Sequence, residues 1–316
     1  MPLRIVFCGT PSFAVPSLRH LIAQPEFEIA GVITQPDRPR GRGQLTASSA
    51  VKDVALEAGL AVYQPKKIRS ESAHDYFRRV APDCAVIIAY GQIIPASLIE
   101  IPRLGWINLH GSLLPKYRGA APVAWAVLNG ESRTGLTTMR IDAGLDTGPL
   151  LLRAETEIGA DETAAELSAR LAEIGAPLIA RTLRGLANGE ITPAAQDSSQ
   201  ATYARPLKKE DGRIDWRQPA GAIYNRIRGL EPWPGAFTEF RGQKCAIWGR
   251  PKELAEPSAL PEGPGTLVVR GSDLFAECGG RTTLRIEFAQ LEGRKRVTAR
   301  EFVSGARLAS SERFGA

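Results

Sequence analysis

CAVIIAYG (residues 84–91) and GWINLHG (residues 105–111) are short apolar runs that each end in glycine. Similar apolar runs occupy the earlier part of the chain: LRIVFCG (3–9), EIAGVIT (28–34) and LAVYQ (60–64). Segments this rich in Val and Ile predict strands that are buried on both faces of a sheet. Stretches with helical spacing separate the runs, at Phe13–Ala23, Ser49–Ala58 and Glu71–Val80. The alternation predicts an α/β fold with a doubly wound, Rossmann-like parallel sheet.

The starts of the predicted helices carry further signals. Ser12 precedes the first helix and Ser48 or Ser49 the second, and serine is a favoured N-cap. The turn after the first strand, CGTPSFAVP, has one glycine and two prolines in place of the GxGxxG pattern that binds a dinucleotide pyrophosphate. A nicotinamide-dependent Rossmann site is therefore disfavoured.

The second half of the chain predicts the end of this domain and a second domain. An apolar strand at 150–158 is followed by a helix from about Thr163 to Gly189, opened by the capping-box pattern Thr163-x-x-Glu166. Residues 190–207 are polar and lack a period, which is typical of a linker. Beyond them, short runs bounded by Gly, Pro or Asp predict a small OB-like β-barrel. We therefore expect a catalytic domain at 1–189, a linker at 190–207 and an OB-like domain at 208–316.

Composition limits the class of protein. With 316 residues, 43% of them hydrophobic, the chain is long enough for two cores. It has neither an apolar stretch of membrane-spanning length nor a start that resembles a secretory signal, so we expect a cytoplasmic protein. The four cysteines lack the spacing of a zinc site, so no metal is expected, and Cys8 and Cys84 should be small buried hydrophobes.

Positive charge is concentrated in the last third of the chain. Residues 1–207 contain 21 Lys and Arg against 20 Asp and Glu, whereas residues 208–316 contain 19 against 14. A module that faces phosphates needs such an excess, although a basic surface without a ligand has the same composition. The stretch QPDRPRGRGQLTASS (35–49), with Arg38, Arg40 and Arg42, is long and basic, which is typical of a loop that closes over a substrate.

Asn108 and His110 end the strand in GWINLHG. Residues i and i+2 of a strand project to the same side, so both side chains leave the sheet edge together, where parallel sheets bind ligands. A lone strand-end histidine is usually structural, but here an amide accompanies it, and a carboxylate follows further along the chain. Asp146 lies in DAGLDTGP (142–149), where a turn aspartate usually caps backbone amides and can also be held against an imidazole.

An amide, an imidazole and a carboxylate suit acyl transfer to an amine. Asn108 and a protonated His110 would stabilise the oxyanion that forms as the amine adds to the acyl carbon. The Asp146 carboxylate, directly or through water, would take the proton that the amine sheds. The sequence contains no GxSxG nucleophile elbow, so direct transfer without a covalent intermediate is the simpler scheme.

NLHGSLLPKYRGAAP (108–122) and TGLTTMRIDAGLDTGPLL (134–151) closely resemble the folate-dependent formyltransferases. The resemblance implies that Asn108, His110 and Asp146 are the catalytic residues. It also implies that the tetrahydrofolate part of 10-formyltetrahydrofolate binds along Ser112, Leu113, Leu114 and Pro115, near Ile88 and Tyr90. The family acts without a metal, and the resemblance implies none here.

Other stretches resemble the members of this family that act on tRNA: FCGTPSFAVPSL (7–18), TQPDRPRGRG (34–43) and NRIRGLEPWPGAF (225–237). The resemblance covers essentially the whole chain and implies formyl transfer to the amino group of methionine on the initiator tRNA. It implies tRNA contacts by the 35–49 loop, where Arg42 matches an important basic residue and Arg38 and Arg40 are nearby. Lys208 and Lys209 are candidate phosphate contacts of the second domain. We expect a monomer with no membrane partner.

Three other functions stay open on the sequence. A formyltransferase acting on a small amine, such as glycinamide ribonucleotide or a nucleotide-linked amino sugar, would lack the basic second domain or carry a different one. A hydrolase that releases formate could use the same three side chains. An RNA-binding protein without activity would leave those side chains unexplained, and a folate-induced rise in its melting temperature would argue against that function.

Overall fold

The computed structural model describes residues 1–40, 45–253, 263–308 and 312–315. The chain divides into two compact units, and neither unit is one continuous stretch. The first comprises Met1–Pro122, Arg133–Glu157 and Leu167–Ala204; the second comprises Val123–Ser132, Ile158–Glu166 and Arg205–Ala316. The two short segments before Ala204 that belong to the second unit, Val123–Ser132 and Ile158–Glu166, were not predicted from the sequence, which assigned residues 1–189 to one domain.

The elements up to Ala204 alternate between strands and helices. In chain order they are β1 (Leu3–Gly9), α1 (Val15–Ile22), β2 (Phe27–Ile33), β3 (Arg38–Arg40), β4 (Leu45–Ala47), α2 (Ala50–Glu57), β5 (Val62–Tyr63), α3 (Glu71–Val80), β6 (Cys84–Ile88), α4 (Ala96–Ile99), β7 (Trp106–His110), β8 (Arg118–Gly119), α5 (Pro122–Leu128), β9 (Arg133–Arg140), β10 (Leu150–Glu157), α6 (Ala164–Ala187) and β11 (Tyr203–Ala204). Short 3-10 turns lie at Ser12–Ala14 and Ser198–Gln200.

Seven strands form the main sheet, in the order β10-β9-β7-β6-β1-β2-β5. The five strands from β7 to β5 pair in parallel, which confirms the predicted parallel sheet. In contrast, β9 runs antiparallel to both of its neighbours, β7 and β10. All five residues of β6 are buried, as expected of a strand covered on both faces. The interior strand β7 therefore ends, at His110, on the carboxyl edge of the parallel part.

The helix starts agree with the sequence at two places and differ at a third. The Ser49 hydroxyl caps α2 by accepting from the Lys52 N–H at 3.1 Å. Thr163 and Glu166 form the predicted capping box, since each side chain accepts from the backbone N–H of the other residue. The prediction of Ser12 as an N-cap is wrong. Ser12 begins a 3-10 turn, and α1 starts at Val15 with a proline in its first turn, where fewer N–H groups need a cap.

The four cysteines are buried and free, which confirms the prediction for Cys8 and Cys84. Burial raises the pKa of the Cys84 thiol to about 12 and shifts the pKa of Cys8 in the same direction, so both thiols stay protonated at neutral pH. In the described ranges, no three His, Cys, Asp or Glu side chains are grouped as metal ligands would be. None of the described helices is both long enough and apolar enough to cross a membrane.

The elements beyond Ala204 are α7 (Ala220–Gly229), β12 (Phe237–Phe240), β13 (Gln243–Pro251), β14 (Leu267–Arg270), β15 (Asp273–Cys278), β16 (Thr282–Leu291), β17 (Val297–Thr298) and α8 (Ala299–Ala306). The strands form an antiparallel sheet in the order β12-β13-β16-β15-β14, and β17 pairs with β16. The Gly315 N–H donates to Glu239 of β12, and the Leu267 N–H of β14 donates to Glu312, both at 2.8 Å. Residues 312–315 therefore bridge the two edge strands of this small β unit.

The polar segment that the sequence predicted as a linker packs on the first unit as far as Ala204. Ala194 and Leu150 exchange backbone hydrogen bonds of 2.9 and 2.8 Å, and β11 pairs in parallel with β8. These contacts use the main chain, so no hydrophobic period in the sequence indicates them. The segment also carries Gln196 into the surroundings of Asp146.

Candidate active site

Three side chains that the sequence singled out meet at the carboxyl end of β7. Asn108 and His110 lie two residues apart on this strand, and Asp146 lies in the loop that follows β9. The Asn108 amide donates to Asp146 Oδ1 at 3.5 Å, and His110 Nδ1 lies 3.6 Å from Asp146 Oδ2. The His110 side chain is 6% exposed and that of Asp146 18% exposed. The structure thus places an amide, an imidazole and a carboxylate together in a largely desolvated position.

The two ring nitrogens of His110 have different surroundings. Nε2 lies 2.9 Å from the Tyr117 carbonyl oxygen, which can only accept, so Nε2 carries a proton. Nδ1 is turned towards Asp146, and their separation of 3.6 Å is longer than a direct hydrogen bond. The backbone thus engages Nε2, and Nδ1 is the ring atom that faces the carboxylate.

Asp146 is held through both its side chain and its main chain. The Gly119 N–H donates to Asp146 Oδ2 at 2.8 Å. The Gln196 amide donates to the carbonyl oxygens of Asp146 and Gly148, both at 2.8 Å. Asp146 has a φ of 51°, in the left-handed region that aspartate enters more readily than most residues. The carboxylate therefore has a fixed position relative to β7.

The residues expected to contact folate, Ser112–Pro115, form a turn directly after β7. Thr137 of β9 fixes this turn, because its hydroxyl donates to the Ser112 carbonyl at 2.7 Å and accepts from the Leu114 N–H at 3.1 Å. Ser112 and Leu114 are buried, whereas Leu113 and Pro115 are partly accessible. The Leu114–Pro115 peptide bond is cis. The turn is thus a fixed feature beside His110.

Ile88 is the last residue of β6, the parallel neighbour of β7, and Tyr90 follows two residues after the strand. The register pairs Ile87 with Asn108, so the two candidates extend along the same edge of the sheet as His110. Ile88 is fully buried and Tyr90 is 1% exposed. The Tyr90 hydroxyl has no hydrogen-bond partner within the described part of the chain, and burial raises the pKa of this phenol, so it stays a neutral donor.

The candidate tRNA contacts belong to two parts of the chain. Arg38 is exposed on β3, which pairs with β4 in a short antiparallel hairpin that the sequence did not indicate. Arg40 lies on the same strand, but its side chain is outside the described part, and Arg42 lies outside the described residues altogether. Lys208 and Lys209 are exposed and belong to the second unit. Arg38, Lys208 and Lys209 are therefore accessible to an anionic partner.

Polar side chains anchor the base of this hairpin. Lys52 forms an ion pair with Asp37, and the Gln64 amide donates to Asp37 Oδ1 at 2.7 Å. These hydrogen bonds, first that of Lys52 and then that of Gln64, hold the pKa of Asp37 below its usual range. The ionised carboxylate therefore anchors the start of β3, the strand that carries Arg38.

Sequence reasoning missed two residues behind the site, Gln196 and Arg118. Arg118 is 2% exposed, and its Nε and Nη2 donate to Gln196 Oε1 at 3.1 and 2.8 Å. Arg118 lies within the NLHGSLLPKYRGAAP stretch, which carries the family resemblance but does not by itself assign Arg118 a role. Gln196 lies in the segment assigned to a linker, where nothing in the local pattern distinguishes it from other polar residues.

The fold and the site together define a class of protein. A Rossmann-like sheet presents an amide, an imidazole and a carboxylate at the carboxyl end of its strands, and a separate antiparallel β unit follows. Such a cluster can stabilise an oxyanion and accept a proton, and the transfer of an acyl group to an amine requires both. The chain has the structure of an α/β group-transfer enzyme.

Comparison with known families makes the class specific. A family model described as "Formyl transferase" matches residues 3–183, and one described as "Formyl transferase, C-terminal domain" matches residues 206–307. The chain therefore belongs to the formyl transferase family of one-carbon transfer enzymes. A methionyl-tRNA formyltransferase from Solibacter usitatus is 54% identical to it over 99% of both chains. Another, from Acidobacterium capsulatum, is 50% identical over 99% of this chain and 100% of that one.

Solved structures share the fold at lower identity. The sugar 3N-formyl transferase WlaRD, crystallised with dTDP and 5-N-formyl-THF, has a TM-score of 0.66 at 20% identity and covers 93% of this chain and 100% of its own. A methionyl-tRNA formyltransferase from Clostridium thermocellum has a TM-score of 0.56 at 18% identity and covers 80% of this chain and 94% of its own. At these identities the likeness concerns the fold alone.

Proposed function

We propose that this chain transfers the formyl group of 10-formyltetrahydrofolate to the free amino group of methionyl-initiator-tRNA. The products are N-formylmethionyl-tRNA and tetrahydrofolate, for the initiation of translation. The observation that carries the proposal is that the Asn108–His110–Asp146 cluster lies in a chain that matches methionyl-tRNA formyltransferases over its whole length, second unit included. A formyltransferase acting on a small amine is the alternative.

In the proposed reaction the amine nitrogen attacks the formyl carbon, and the bond from that carbon to N10 of the folate breaks. The Asn108 N–H groups and His110 Nδ1, when protonated, stabilise the oxyanion of the tetrahedral intermediate. The Asp146 carboxylate takes the proton that the amine sheds, and this proton passes on to N10, directly or through water, as the bond to N10 breaks, which regenerates the carboxylate. The cluster performs these steps without a metal ion.

The remaining candidate residues bind the two substrates in this proposal. Ser112–Pro115 and the strand end with Ile88 and Tyr90 line the folate site, where the buried Tyr90 hydroxyl is an available donor. Arg38, Arg40 and Arg42 of the loop contact the tRNA acceptor end. Lys208 and Lys209 bind phosphates at the start of the second domain, consistent with the positive charge of residues 208–316.

We also propose that residues 1–189 form the catalytic domain and 208–316 the tRNA-binding domain, joined by 190–207. The basis is that the two family models match residues 3–183 and 206–307. Because the acceptor is a charged initiator tRNA, we place the enzyme in the cytoplasm, where it would act as a monomer.

The test measures formyl transfer by the purified protein from 10-formyltetrahydrofolate to different acceptors. Methionyl-initiator-tRNA, free methionine and a dTDP-linked amino sugar are compared, and free formate is measured in parallel. We expect N-formylmethionyl-tRNA as the main product. Formylation of the amino sugar without tRNA would support a small-amine transferase, and release of formate without any acceptor would support a hydrolase.

A further inference from the structure

Gln196 joins the loop that carries Asp146 to a buried arginine. Its Nε2 donates to the carbonyl oxygens of Asp146 and Gly148, both at 2.8 Å. Its Oε1 accepts from Arg118 Nε at 3.1 Å and from Arg118 Nη2 at 2.8 Å. All these residues belong to the first unit. The Gln196 amide therefore uses both of its donors and both lone pairs of its oxygen.

The direction of this amide follows from its partners. A guanidinium can only donate, so it must face the amide oxygen, and backbone carbonyls can only accept, so they must face the amide nitrogen. Arg118 is 2% exposed, and its backbone N–H donates to Thr202 at 2.8 Å, next to the pairing of β8 with β11. A guanidinium that donates two hydrogen bonds to the same oxygen forms a strong and directional contact. Arg118 thus fixes the orientation of Gln196.

The loop after β9 requires such support. Asp146 has a φ of 51°, and a Cβ added to Gly148 would lie 1.9 Å from the Arg140 carbonyl oxygen, so the chain passes close to β9 there. Within the loop, Asp142 Oδ1 accepts from Gly144 and Thr147, at 3.0 and 2.7 Å. These internal bonds hold one end of the loop, whereas Gln196 orients the peptide groups that follow Asp146 and Gly148.

The residue after Arg118 contacts the same aspartate. The Gly119 N–H donates to Asp146 Oδ2 at 2.8 Å, and this oxygen lies 3.6 Å from His110 Nδ1. The short strand β8 therefore reaches Asp146 twice, through Gly119 to the carboxylate and through Arg118 and Gln196 to the main chain. A shift of the loop would change the distance between the carboxylate and the imidazole.

We propose that Gln196 is a positioning residue for the Asp146 carboxylate, and that Arg118 fixes Gln196 in the required orientation. Gln196 acts through the main chain of the loop and does not touch the substrate. The inference rests on the proposed function and deepens it, because it concerns the same site. Loss of the Gln196 bonds should lower kcat and leave KM for both substrates nearly unchanged, since the interaction matters for the transition state and not for binding.

The test compares Gln196→Met with Gln200→Met. Methionine keeps the length of glutamine and removes its hydrogen bonds, and Gln200 lies in the same segment but donates to the exposed Asp197. We expect Q196M to lower kcat by roughly 10- to 100-fold, as misplacement of a catalytic group does. Q200M should keep the wild-type kcat. Equal kcat values for the two variants would overturn the proposal, whereas an inactive wild type would instead refute the proposed function.

Two further measurements separate positioning from a general loss of structure. Gln196→Glu keeps the acceptor for Arg118 and replaces the amide donor by an oxygen, so it should lose kcat as Q196M does, and a melting curve of each variant reports whether it is folded. The chain has three histidines, so the side-chain ¹⁵N signals of a histidine-labelled sample can be assigned one by one. The His110 signals should shift in both variants while those of His20 and His74 stay in place. Unchanged His110 signals, or a Q196E enzyme with full kcat, would contradict the positioning role.

Discussion

Replacing Gly119 by alanine adds one methyl group beside the carboxylate of the candidate site. The Gly119 N–H binds Asp146 Oδ2 at 2.8 Å, and Gly119 has a φ of 121°, a conformation that residues with a side chain rarely adopt. The added Cβ would lie 2.6 Å from the Ala204 carbonyl oxygen, whereas ordinary contact begins near 3.4 Å. The backbone at residue 119 must therefore move by about 0.8 Å.

This displacement sets the expected magnitude. A misplacement of about 1 Å in a catalytic group lowers the rate by roughly 100-fold, so G119A should reduce kcat for formylation of methionyl-tRNA by about that factor. The disfavoured φ and the steric overlap together should lower the free energy of unfolding by about 2–4 kcal/mol. The fall in kcat is measured in the fraction that stays folded, at a temperature below the melting transition of the variant.

Gly189→Ala is the matched control. Gly189 also has a positive φ, of 73°, but a Cβ there would meet nothing within 4 Å. The control should therefore lose only about 1 kcal/mol of stability to backbone strain and keep the wild-type kcat. Steady-state formylation assays and urea denaturation of both variants check this. A G119A enzyme whose kcat equals that of G189A would refute the claim that Gly119 fixes the carboxylate.

Three further substitutions test other parts of the molecule. Thr137→Val removes the hydroxyl that fixes the turn after β7, so KM for 10-formyltetrahydrofolate should rise about tenfold, equivalent to about 1.4 kcal/mol, and an unchanged KM would contradict folate binding there. Asp211→Asn should lower Tm at pH 7, because hydrogen bonds from Arg205 hold the pKa of the Asp211 carboxyl below its usual range. That stabilisation is complete above about pH 4 and is lost as the pH falls through the lowered pKa, so a difference in Tm that persists undiminished at pH 2 would contradict it. Phe314→Ala removes a ring that is 3% exposed and should cost about 3–5 kcal/mol in urea denaturation; a cost below about 1 kcal/mol would show that the terminal segment is not part of the core of the second unit.

The elements with a hydrophobic period were predictable from the sequence. Helix α3 spans the predicted residues, Glu71–Val80, and the buried strands β6 and β7 begin and end close to the predicted runs. The direction of β9 was not predictable, because its apolar pattern is the same whether it pairs in parallel or antiparallel. Helix α8 was missed although Thr298 and Glu301 form a capping box, since the helix is short and follows β17 directly.

In the site too, the features that depend on the local sequence were predictable, and those that depend on contacts between distant segments were not. The spacing of Asn108 and His110 on one strand predicts that they leave the sheet together. The approach of Asp146 depends on β9 lying next to β7, which the local pattern does not encode; the residue types suggested that a carboxylate could join the imidazole, and the family resemblance singled out Asp146. Gln196 was missed because it acts through main-chain carbonyl groups, and any polar segment of suitable length can supply such a donor.

Single-turnover formylation of methionyl-initiator-tRNA by His110→Ala, beside His20→Ala, tests most directly whether the cluster on β7 performs the transfer. His20 lies in the last turn of α1 and is not one of the three residues of the cluster, so its variant controls for the loss of an imidazole. We predict that H110A transfers formyl at least about 100-fold more slowly than wild type while binding folate and tRNA normally, and that H20A matches wild type. A His110→Ala enzyme that formylates methionyl-tRNA at the rate of His20→Ala would contradict the assignment of catalysis to this site.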